Sequence, residues 1–282
     1  MRLPVQLLKR NPETHKGDYG CVLIIGASLG LTGAVCLSAR AALKIGAGLV
    51  RVGVPKSLNN IFEIKLTEEM SLPLADKGGS LTESAFSQIE KVLDKVDVLV
   101  IGPGASLANP TRKLILRIIR DVDKPIVIDA DAISALASDL SVLDKRKTKQ
   151  LIITPHYQEF SRLVKVDIEE IKKNRKELAG NFALRYNLTL VLKGNRSLVV
   201  RNKEFFENDS GNAGMATAGS GDVLSGIIAG LVAQGLKPFE AAKLGVYLHG
   251  LSGDLAVKDK TESCLIASDL IDYLPQAIKS SL

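Results

Sequence analysis

The 282-residue sequence contains no tryptophan, and aromatic residues make up only 4% of it. Proteins that bind single-stranded nucleic acid commonly stack the bases on aromatic side chains, so we expect no nucleic acid partner. The formal net charge is only +6. Basic residues cluster mainly at 145–149 and 172–176, which is typical of solvated surfaces, with weak attraction of anionic small molecules as the alternative.

Cysteine is also scarce, and Cys21, Cys36 and Cys264 lie far apart without a CxxC pair. This spacing suggests neither a disulfide framework nor a zinc site. No uncharged run reaches the roughly 18 residues of a membrane-spanning helix, and residues 1–20 contain no apolar core of a signal peptide. We therefore expect a cytoplasmic protein without a membrane partner, folded as a single domain over residues 1–282.

Short apolar runs alternate along the chain with longer helical patterns. The runs cover residues 21–27, 49–55, 96–104, 125–131, 150–156 and 188–194. Continuous apolar runs are typical of parallel strands that are covered on both faces. The predicted fold class is therefore α/β, a three-layer αβα sandwich with a mainly parallel central sheet, to which the segments at 197–202 and 203–208 make an antiparallel addition.

Helical patterns cover residues 32–46, 110–123 and 168–187, and the last third of the chain is also predicted to be helical. Pro110 marks one helix start, because proline is tolerated in the first turn. The spacing from Asp167 to Glu170 is that of a capping box and marks a second start.

Polar or glycine-rich groups follow five of the predicted strands. They are GAS, GPG, DAD, TPH and KGN, in chain order. Ligands of parallel α/β sheets bind beyond the carboxyl ends of the strands, so the five groups predict one common binding rim.

The stretch GNAGMATAGSGDVLSGIIAGLVAQG, residues 211–235, places an acid among small residues at the start of an apolar segment. We expect a buried helix that begins near Ser220, with Gly219 and Gly221 leaving its first amide groups accessible to a phosphate. Asp222 has two interpretations: a carboxylate stabilised by the helix dipole, or a general base beside the phosphate. The glycines favour the base, since a simple cap needs no cleared backbone.

Other polar residues at the rim have open interpretations. Residues 193–197, KGNRS, form either a β-turn or a nucleotide phosphate site. His156 is either an ordinary packed residue or a substrate contact at a strand end. Asp129 and Asp131 could hold magnesium through water, but we favour a supporting or helix-capping role. The glycine loops at 26–34 and 101–104 have neither the dinucleotide-binding nor the Walker order. The remaining histidines, His15 and His249, are interpreted as structural.

Seven motifs, taken together, resemble the NAD(P)H-hydrate dehydratases, a carbohydrate-kinase-like family with a ribokinase-like fold. They are THKGDYGCVLIIGAS, TGAVCLSARAALKIGAGLVRV, VIGPG, VIDADAI, ITPHYQEF, VLKGN and NAGMATAGSGDVLSGIIAGL. The resemblance covers nearly the whole chain in order. GSGD alone would indicate only the wider superfamily, whereas GMATAGSGDVLSG together with KIGAGLVRV is specific.

The resemblance implies a repair lyase that dehydrates the S epimer of hydrated NADH or NADPH (NADHX or NADPHX). Bacterial and archaeal members of the family use ADP and release AMP and phosphate, whereas eukaryotic members prefer ATP. Asp222 would activate the ring hydroxyl for attack on the terminal phosphate, and the resulting phosphate ester would leave easily. Mg²⁺ would bridge phosphates and water without a dedicated protein metal site.

The family's functional residues transfer to matching positions. The hydrated dinucleotide would contact Ala34, Gly104, His156 and Asp222. The nucleotide would contact Lys193, Gly194, Asn195, Arg196, Ser197, Ala218, Gly219, Ser220 and Gly221. The resemblance also implies a homo-oligomer, commonly a tetramer.

Two departures from the family pattern affect these expectations. The family usually has Thr-Pro-His-Pro-Gly-Glu where this chain has TPHYQE, so Tyr157 and Gln158 leave the loop geometry after His156 open. Many relatives also carry an N-terminal epimerase domain, and we expect this chain to rely on a separate epimerase or on spontaneous epimerisation.

Two rival functions remain open at this point. One is a small-molecule kinase of the same fold that phosphorylates a vitamin-precursor alcohol, which would use the same phosphate site and Asp222. The other is a nucleotide-binding sensor without turnover.

Overall fold

The computed structural model describes residues 9–281. Residues 1–8, on which part of the signal-peptide expectation rests, lie outside the described residues. The strands are β1 (Cys21–Ile25), β2 (Leu49–Pro55), β3 (Met70–Leu74), β4 (Asp76–Lys77), β5 (Ser80–Leu81), β6 (Val98–Ile101), β7 (Ile126–Ile128), β8 (Leu151–Ile153), β9 (Thr189–Leu192), β10 (Leu198–Arg201) and β11 (Glu204–Glu207).

Within residues 9–281, thirteen α-helices are interspersed with these strands. They are α1 (Thr32–Lys44), α2 (Asn59–Lys65), α3 (Phe86–Glu90), α4 (Asn109–Asp121), α5 (Asp131–Ser138), α6 (Ser141–Lys145), α7 (Tyr157–Val164), α8 (Ile168–Lys173), α9 (Arg175–Arg185), α10 (Ser220–Ala233), α11 (Pro238–Asp259), α12 (Ala267–Asp272) and α13 (Leu274–Ser280). Short 3-10 helices lie at Lys16–Tyr19, Lys56–Leu58, Glu83–Ala85, Leu93–Lys95, Ala213–Met215 and Glu262–Cys264.

In the described part of the chain, nine strands form the central sheet, in the order β11-β10-β9-β8-β7-β6-β1-β2-β3. Neighbouring strands from β3 to β9 pair in parallel, and the pairs that β10 makes with β9 and β11 are antiparallel. The prediction of a mainly parallel sheet with an antiparallel addition is confirmed. β4 and β5 form a separate antiparallel pair.

Side chains of each strand alternate between two buried faces of the sheet. In β1, Val22 and Ile24 belong to a core formed with α1 and α10 to α13. Leu23 and Ile25 belong to the opposite core, formed with α3 to α9. Burial on both faces explains the continuous apolar runs, because both faces of a strand then require apolar side chains. The three-layer αβα arrangement is thus as predicted.

The sheet extends from β1 in both directions, and this divergence beside β1 positions the candidate site. β2 and β3 extend the sheet on one side of β1, and β6 to β9 extend it on the other. The connections that follow β1 and β6 therefore separate at the carboxyl edge of the sheet, where ligands of such sheets bind.

The helical pattern predicted over 168–187 divides into two helices, α8 and α9, at Asn174, which belongs to neither helix. Helix α8 begins directly after Asp167, as predicted, but the side chain of Asp167 makes no capping hydrogen bond, so the capping box itself is absent. Likewise, α4 has Pro110 in its first turn, as predicted. β3 was not predicted.

Helix α10 packs closely against α1 because of two glycines. A Cβ at Gly226 would lie 2.0 Å from the Ser38 carbonyl oxygen, and one at Gly230 would lie 2.3 Å from Cγ2 of Ile45. The small residues of the α10 stretch therefore serve close helix packing. Within residues 9–281, no helix is both long enough and apolar enough to cross a membrane.

Candidate active site

The first turn of α10 contains backbone amide groups that have no hydrogen-bond acceptor in the described part of the chain. Gly219 precedes the helix with φ +88° and has no side chain that could cap it. The amides of Gly219, Gly221 and Asp222 donate no hydrogen bond to any atom of residues 9–281. Because free helix N-terminal amides attract anions, this turn can bind a phosphate.

Asp222 does not satisfy these amides. Its side chain makes no capping hydrogen bond, although it lies in the first turn. Burial, followed by the charge of Asp129, raises the pKa of the Asp222 carboxyl. The charge of Lys193 lowers this pKa and that of Asp131 raises it, and the resulting pKa is about 7. A carboxyl with this pKa can accept a proton near neutral pH. The role predicted for Asp222 stays a prediction.

Lys193 and Asp129 form a buried ion pair beside this turn. Lys193 Nζ lies 2.6 Å from Asp129 Oδ1, and the same oxygen accepts a hydrogen bond of 2.7 Å from Thr154 Oγ1. Asp129 is only 1% exposed. A Cβ at Gly221 would lie 3.2 Å from Lys193 Nζ, so the ammonium group lies against the first turn of α10. The cation can therefore act on an anion bound at that turn.

The charge of Lys193 is retained despite its burial. Burial lowers its pKa, but the nearby charges of Asp129, Glu159 and Asp222 and the hydrogen bond that Lys193 donates to Asp129 raise it above the ordinary value. Lys193 thus stays protonated at physiological pH.

The rest of the KGNRS segment lies away from Asp129, in the turn that joins β9 to β10. Arg196 adopts φ +55° and its Nε lies 3.1 Å from Glu207. Arg175 supports the same turn, since its Nη1 donates to the Arg196 carbonyl at 3.2 Å. Ser197 Oγ donates to the carbonyl of Gly194. The turn interpretation of these residues is thus observed, and nucleotide binding by Lys193, Gly194, Asn195, Arg196 and Ser197 stays a prediction.

His156 is the N-cap of α7, and the loop after it, whose geometry Tyr157 and Gln158 had left open, forms a capping box. Its Nδ1 accepts hydrogen bonds from the amides of Gln158 at 3.1 Å and Glu159 at 3.3 Å. In return, Glu159 Oε2 accepts from the His156 amide at 2.8 Å. This capping box depends on His156 and Glu159, so the residues between them can vary.

The capping box also fixes the chemistry of His156. Because Nδ1 accepts two hydrogen bonds, the proton of the neutral imidazole lies on Nε2. Burial and the charges of Lys193 and Arg162 lower the pKa of His156, which keeps the ring neutral at physiological pH. His156 can therefore donate a hydrogen bond to a ligand through Nε2. It lies beside Lys193, with which it forms an isolated parallel β-bridge.

Ala34 and Gly104 meet at the divergence beside β1. A Cβ at Gly104 would lie 3.3 Å from Cβ of Ala34 and 2.5 Å from the Leu31 carbonyl oxygen. Ser28 Oγ donates to the Gly104 carbonyl at 2.9 Å, which joins the loops after β1 and β6. One turn further along α1, Leu37 packs against Gly219. Helix α1 therefore connects the two sites: its start contacts Gly104 and carries Ala34, and its next turn contacts the phosphate-binding turn at Gly219.

Asp131 lies at the start of α5 but does not cap it. Neither Asp129 nor Asp131 makes a side-chain capping bond there, so the capping interpretation is wrong. Asp131 Oδ2 instead accepts from the Ser106 amide at 2.9 Å, and burial followed by the charge of Asp129 raises its pKa. Between the two acids, Ala130 has φ +49° and ψ −124°, a conformation that costs free energy for a residue with a Cβ.

The acids do not form a protein metal site by themselves. No group of three or more His, Cys, Asp or Glu side chains in residues 9–281 is arranged to hold a metal ion. Asp129 is occupied by Lys193 and Thr154. Any magnesium would therefore take most of its ligands from a bound nucleotide and water.

A cavity of about 380 Å³ opens beside the segment that leads into α10. It is lined by Ala213, Gly214, Ala216, Thr217, Glu262, Ser263 and Leu265. Ala267, two residues after this lining, packs against Gly219, so the cavity adjoins the phosphate-binding turn.

Two contacts of the site were not predicted from the sequence. His249, interpreted as an ordinary structural residue, contacts Ser220 through its Nε2. Thr154 holds Asp129 from the neighbouring strand end. The sequence signal for Thr154 was its position in TPH at the rim, whereas His249 had no comparable signal.

The chain is similar to known proteins over nearly its whole length. A family model described as NAD(P)H-hydrate dehydratase matches residues 22–276. The bifunctional NAD(P)H-hydrate repair enzyme Nnr of Moorella thermoacetica is 44% identical over 277 residues, which are 98% of this chain and 52% of that protein. This chain thus spans about half the length of that relative. The ADP-dependent (S)-NAD(P)H-hydrate dehydratase of Neisseria meningitidis is 35% identical over 96% of this chain and 87% of that protein.

Solved structures agree with this similarity. The ADP/ATP-dependent NAD(P)H-hydrate dehydratase of Bacillus subtilis, co-crystallised with ATP and Mg²⁺, superimposes with a TM-score of 0.81 at 27% identity, covering 97% of this chain and 94% of that one. A ribokinase-like superfamily protein of Enterococcus faecalis superimposes with a TM-score of 0.81 at 28% identity, covering 97% and 91%. The predicted ribokinase-like fold is confirmed.

Proposed function

The chain belongs to the NAD(P)H-hydrate dehydratase family, and we propose that it dehydrates the S epimer of hydrated NADH or NADPH at the expense of ADP, releasing AMP and phosphate. The observation that carries this proposal is the pairing, in one helical turn, of free amides with a carboxyl whose pKa is about 7. Phosphoryl transfer to a hydroxyl requires both an anion site and a base.

In the first step, the Asp222 carboxylate accepts the proton of the ring hydroxyl. The hydroxyl oxygen attacks the β-phosphorus of ADP, and the bond from that phosphorus to the bridging oxygen breaks, which releases AMP. The free amides at Gly219 and Gly221 and the ammonium group of Lys193 stabilise the negative charge of the transferring group. Magnesium carried by the nucleotide would neutralise phosphate charge there, with the carboxylate of Asp131 as a water-mediated partner.

In the second step, the carbon–oxygen bond of the new phosphate ester breaks and phosphate leaves with its electron pair. The neighbouring ring carbon loses a proton to water, and the double bond of the reduced nicotinamide forms. Hydroxide is a poor leaving group and phosphate is a good one, so the nucleotide supplies the driving force. A kinase-like site thereby performs a dehydration.

The remaining predicted contacts divide between the two ligands. His156, as a neutral Nε2 donor, would contact the hydrated dinucleotide together with Ala34 and Gly104 at the β1 divergence. Residues 193–197 and Gly221 would hold the AMP portion of ADP. We also propose that the protein assembles as a homo-oligomer, for which the family resemblance is the ground.

The test is to mix the purified protein with hydrated NADPH, Mg²⁺ and either ADP or ATP, and to follow the near-ultraviolet absorbance of reduced nicotinamide. We expect recovery with ADP, matched by AMP. Recovery with ATP alone would keep the reaction and refute the assigned nucleotide. A stable phosphorylated product from a small alcohol, without any recovery, would support the kinase alternative.

Asp222→Asn gives the sharper control. This variant should lose turnover and still bind ADP, because the amide keeps the size of the side chain but cannot accept the proton. Near-normal turnover would remove Asp222 from the mechanism.

A further inference from the structure

His249 is a buried histidine that the proposed reaction does not use. It lies on α11, is 8% exposed, and faces the first residue of α10. Its Nε2 lies 3.0 Å from the carbonyl oxygen of Ser220 and 3.3 Å from Ser220 Oγ. His249 thus contacts the turn that carries the free amides, although it lies 29 positions after Ser220 in the sequence.

The geometry determines which atom of this contact is the donor. A carbonyl oxygen only accepts, so the proton of His249 lies on Nε2 and is directed at Ser220. Burial lowers the pKa of His249 to about 4, so the ring is neutral in the physiological range. His249 is therefore a fixed hydrogen-bond donor without a charge.

The same N–H also constrains the Ser220 hydroxyl. Because Nε2 carries the proton, Ser220 Oγ can only accept from it, and the hydroxyl hydrogen is left to be donated elsewhere. Ser220 lies between Gly219 and Gly221, whose amides are free. The hydroxyl is thus available as an additional donor beside these amides.

Further contacts show that α11 aligns the whole segment leading into α10. Asp254 accepts hydrogen bonds from the Gly211 amide at 2.8 Å and from Asn212 Nδ2 at 3.0 Å. A Cβ at Gly253 would lie 2.5 Å from Sδ of Met215, so the segment approaches the helix closely. The His249 contact is the last of this series and the one nearest to the free amides.

We infer that His249 is a positioning residue, which orients the Ser220 hydroxyl and the first turn of α10 toward the phosphoryl group of the nucleotide. This inference rests on the proposed function for the identity of the anion. It adds a side-chain donor, Ser220 Oγ, to the free backbone amides. It also means that α11, which does not contain the phosphate-binding turn, determines the orientation of this donor.

The test is a double-mutant cycle with His249→Leu and Ser220→Ala, read out as kcat/KM for ADP and as the ADP dissociation constant. Losing one such hydrogen bond should lower kcat/KM about tenfold in either single variant. The double variant should also lose only about tenfold, because both substitutions disable the same donor: Ser220→Ala removes the hydroxyl, and His249→Leu removes its orientation. His249→Gln places an N–H near the Nε2 position and should stay within about threefold of the wild type.

Several outcomes would overturn the inference. These are losses that multiply in the double variant, a His249→Gln protein as impaired as His249→Leu, or a Ser220→Ala protein with unchanged kinetics. Should His249→Leu not fold, His249→Asn replaces it, since its shorter amide does not reach the Nε2 position. The matched control is Ser252→Ala, which removes a buried hydroxyl that bonds within α11 at Leu248 and should leave the kinetics unchanged.

The binding measurement separates this inference from the proposed function. If the wild type binds ADP without dehydrating the hydrate, the proposed reaction fails, and the cycle in ADP affinity still tests His249. If the wild type does not bind ADP, both fail. A cycle that shows coupling in ADP affinity supports the positioning role in either case.

Discussion

Asp222→Asn is expected to stabilise the folded protein while abolishing its activity. The pKa of Asp222 rises from 3.8 to about 7 on folding, chiefly because burial disfavours the charged form. At about 1.36 kcal/mol per pKa unit, the ionised carboxyl costs the folded state about 4 kcal/mol. Asparagine carries no charge and avoids this cost.

The pH dependence follows from the direction of this pKa change. An acid whose folded pKa is raised binds its proton more tightly in the folded state, so the wild type loses stability as pH rises from about 4 to about 7. The stability advantage of Asp222→Asn should therefore grow by roughly 2–3 kcal/mol between pH 5 and pH 8, and change little above pH 8.

The assay is urea unfolding of the ligand-free protein at several pH values, followed by circular dichroism. Asp209→Asn, which neutralises an exposed acid in the segment before α10, is the matched control and should shift the free energy of unfolding by less than about 0.5 kcal/mol. Two results would refute the reasoning. One is an Asp222→Asn protein whose free energy of unfolding at pH 8 is no higher than that of the wild type. The other is a difference in this free energy that is the same at pH 5 and pH 8.

Three further predictions concern the pH profile, the substrate contact and the helix packing. kcat/KM should fall about tenfold per pH unit below the Asp222 pKa of about 7. Asp131→Asn removes a charge that raises this pKa, so it should move the acidic limb of the pH profile to lower pH. A kcat/KM that does not change with pH would contradict the role of Asp222 as the base. His156→Ala should raise KM for the hydrated dinucleotide more than KM for ADP, and equal increases would indicate a folding role. Gly226→Ala would place a Cβ 2.0 Å from the Ser38 carbonyl oxygen and should cost about 1–3 kcal/mol in urea unfolding; an unchanged midpoint would contradict the close packing of α10 on α1.

The sequence predicted the buried strands well and missed one edge strand, β3. A central strand such as β1 is covered on both faces, so burial leaves a continuous apolar run in the sequence. β3 is an edge strand with Met70 exposed and Pro73 within it, and no such run marks it. Its strand conformation follows from pairing with β2, which is a tertiary contact that a local pattern does not encode.

The candidate site shows the same division between local and tertiary signals. The sequence placed Asp129 and Lys193 at strand ends, because each directly follows an apolar run. It did not predict their ion pair, since β8 lies between their strands and the long lysine side chain reaches past it to Asp129. The contact between His249 and Ser220 likewise depends on how α11 packs against α10.

The first turn of α10 combines two features that each destabilise the protein in the absence of a ligand. Gly219 offers no side chain to the free amides, where serine, threonine or aspartate would supply a cap. Asp222, which could have capped, is instead held where ionisation is costly. Both costs are relieved by one event, because an anion at the turn satisfies the amides, and a hydroxyl beside it can give its proton to the carboxylate. A turn selected for stability alone would have neither feature, so their coincidence favours a bound phosphoryl group and an attacking hydroxyl over a purely structural helix start.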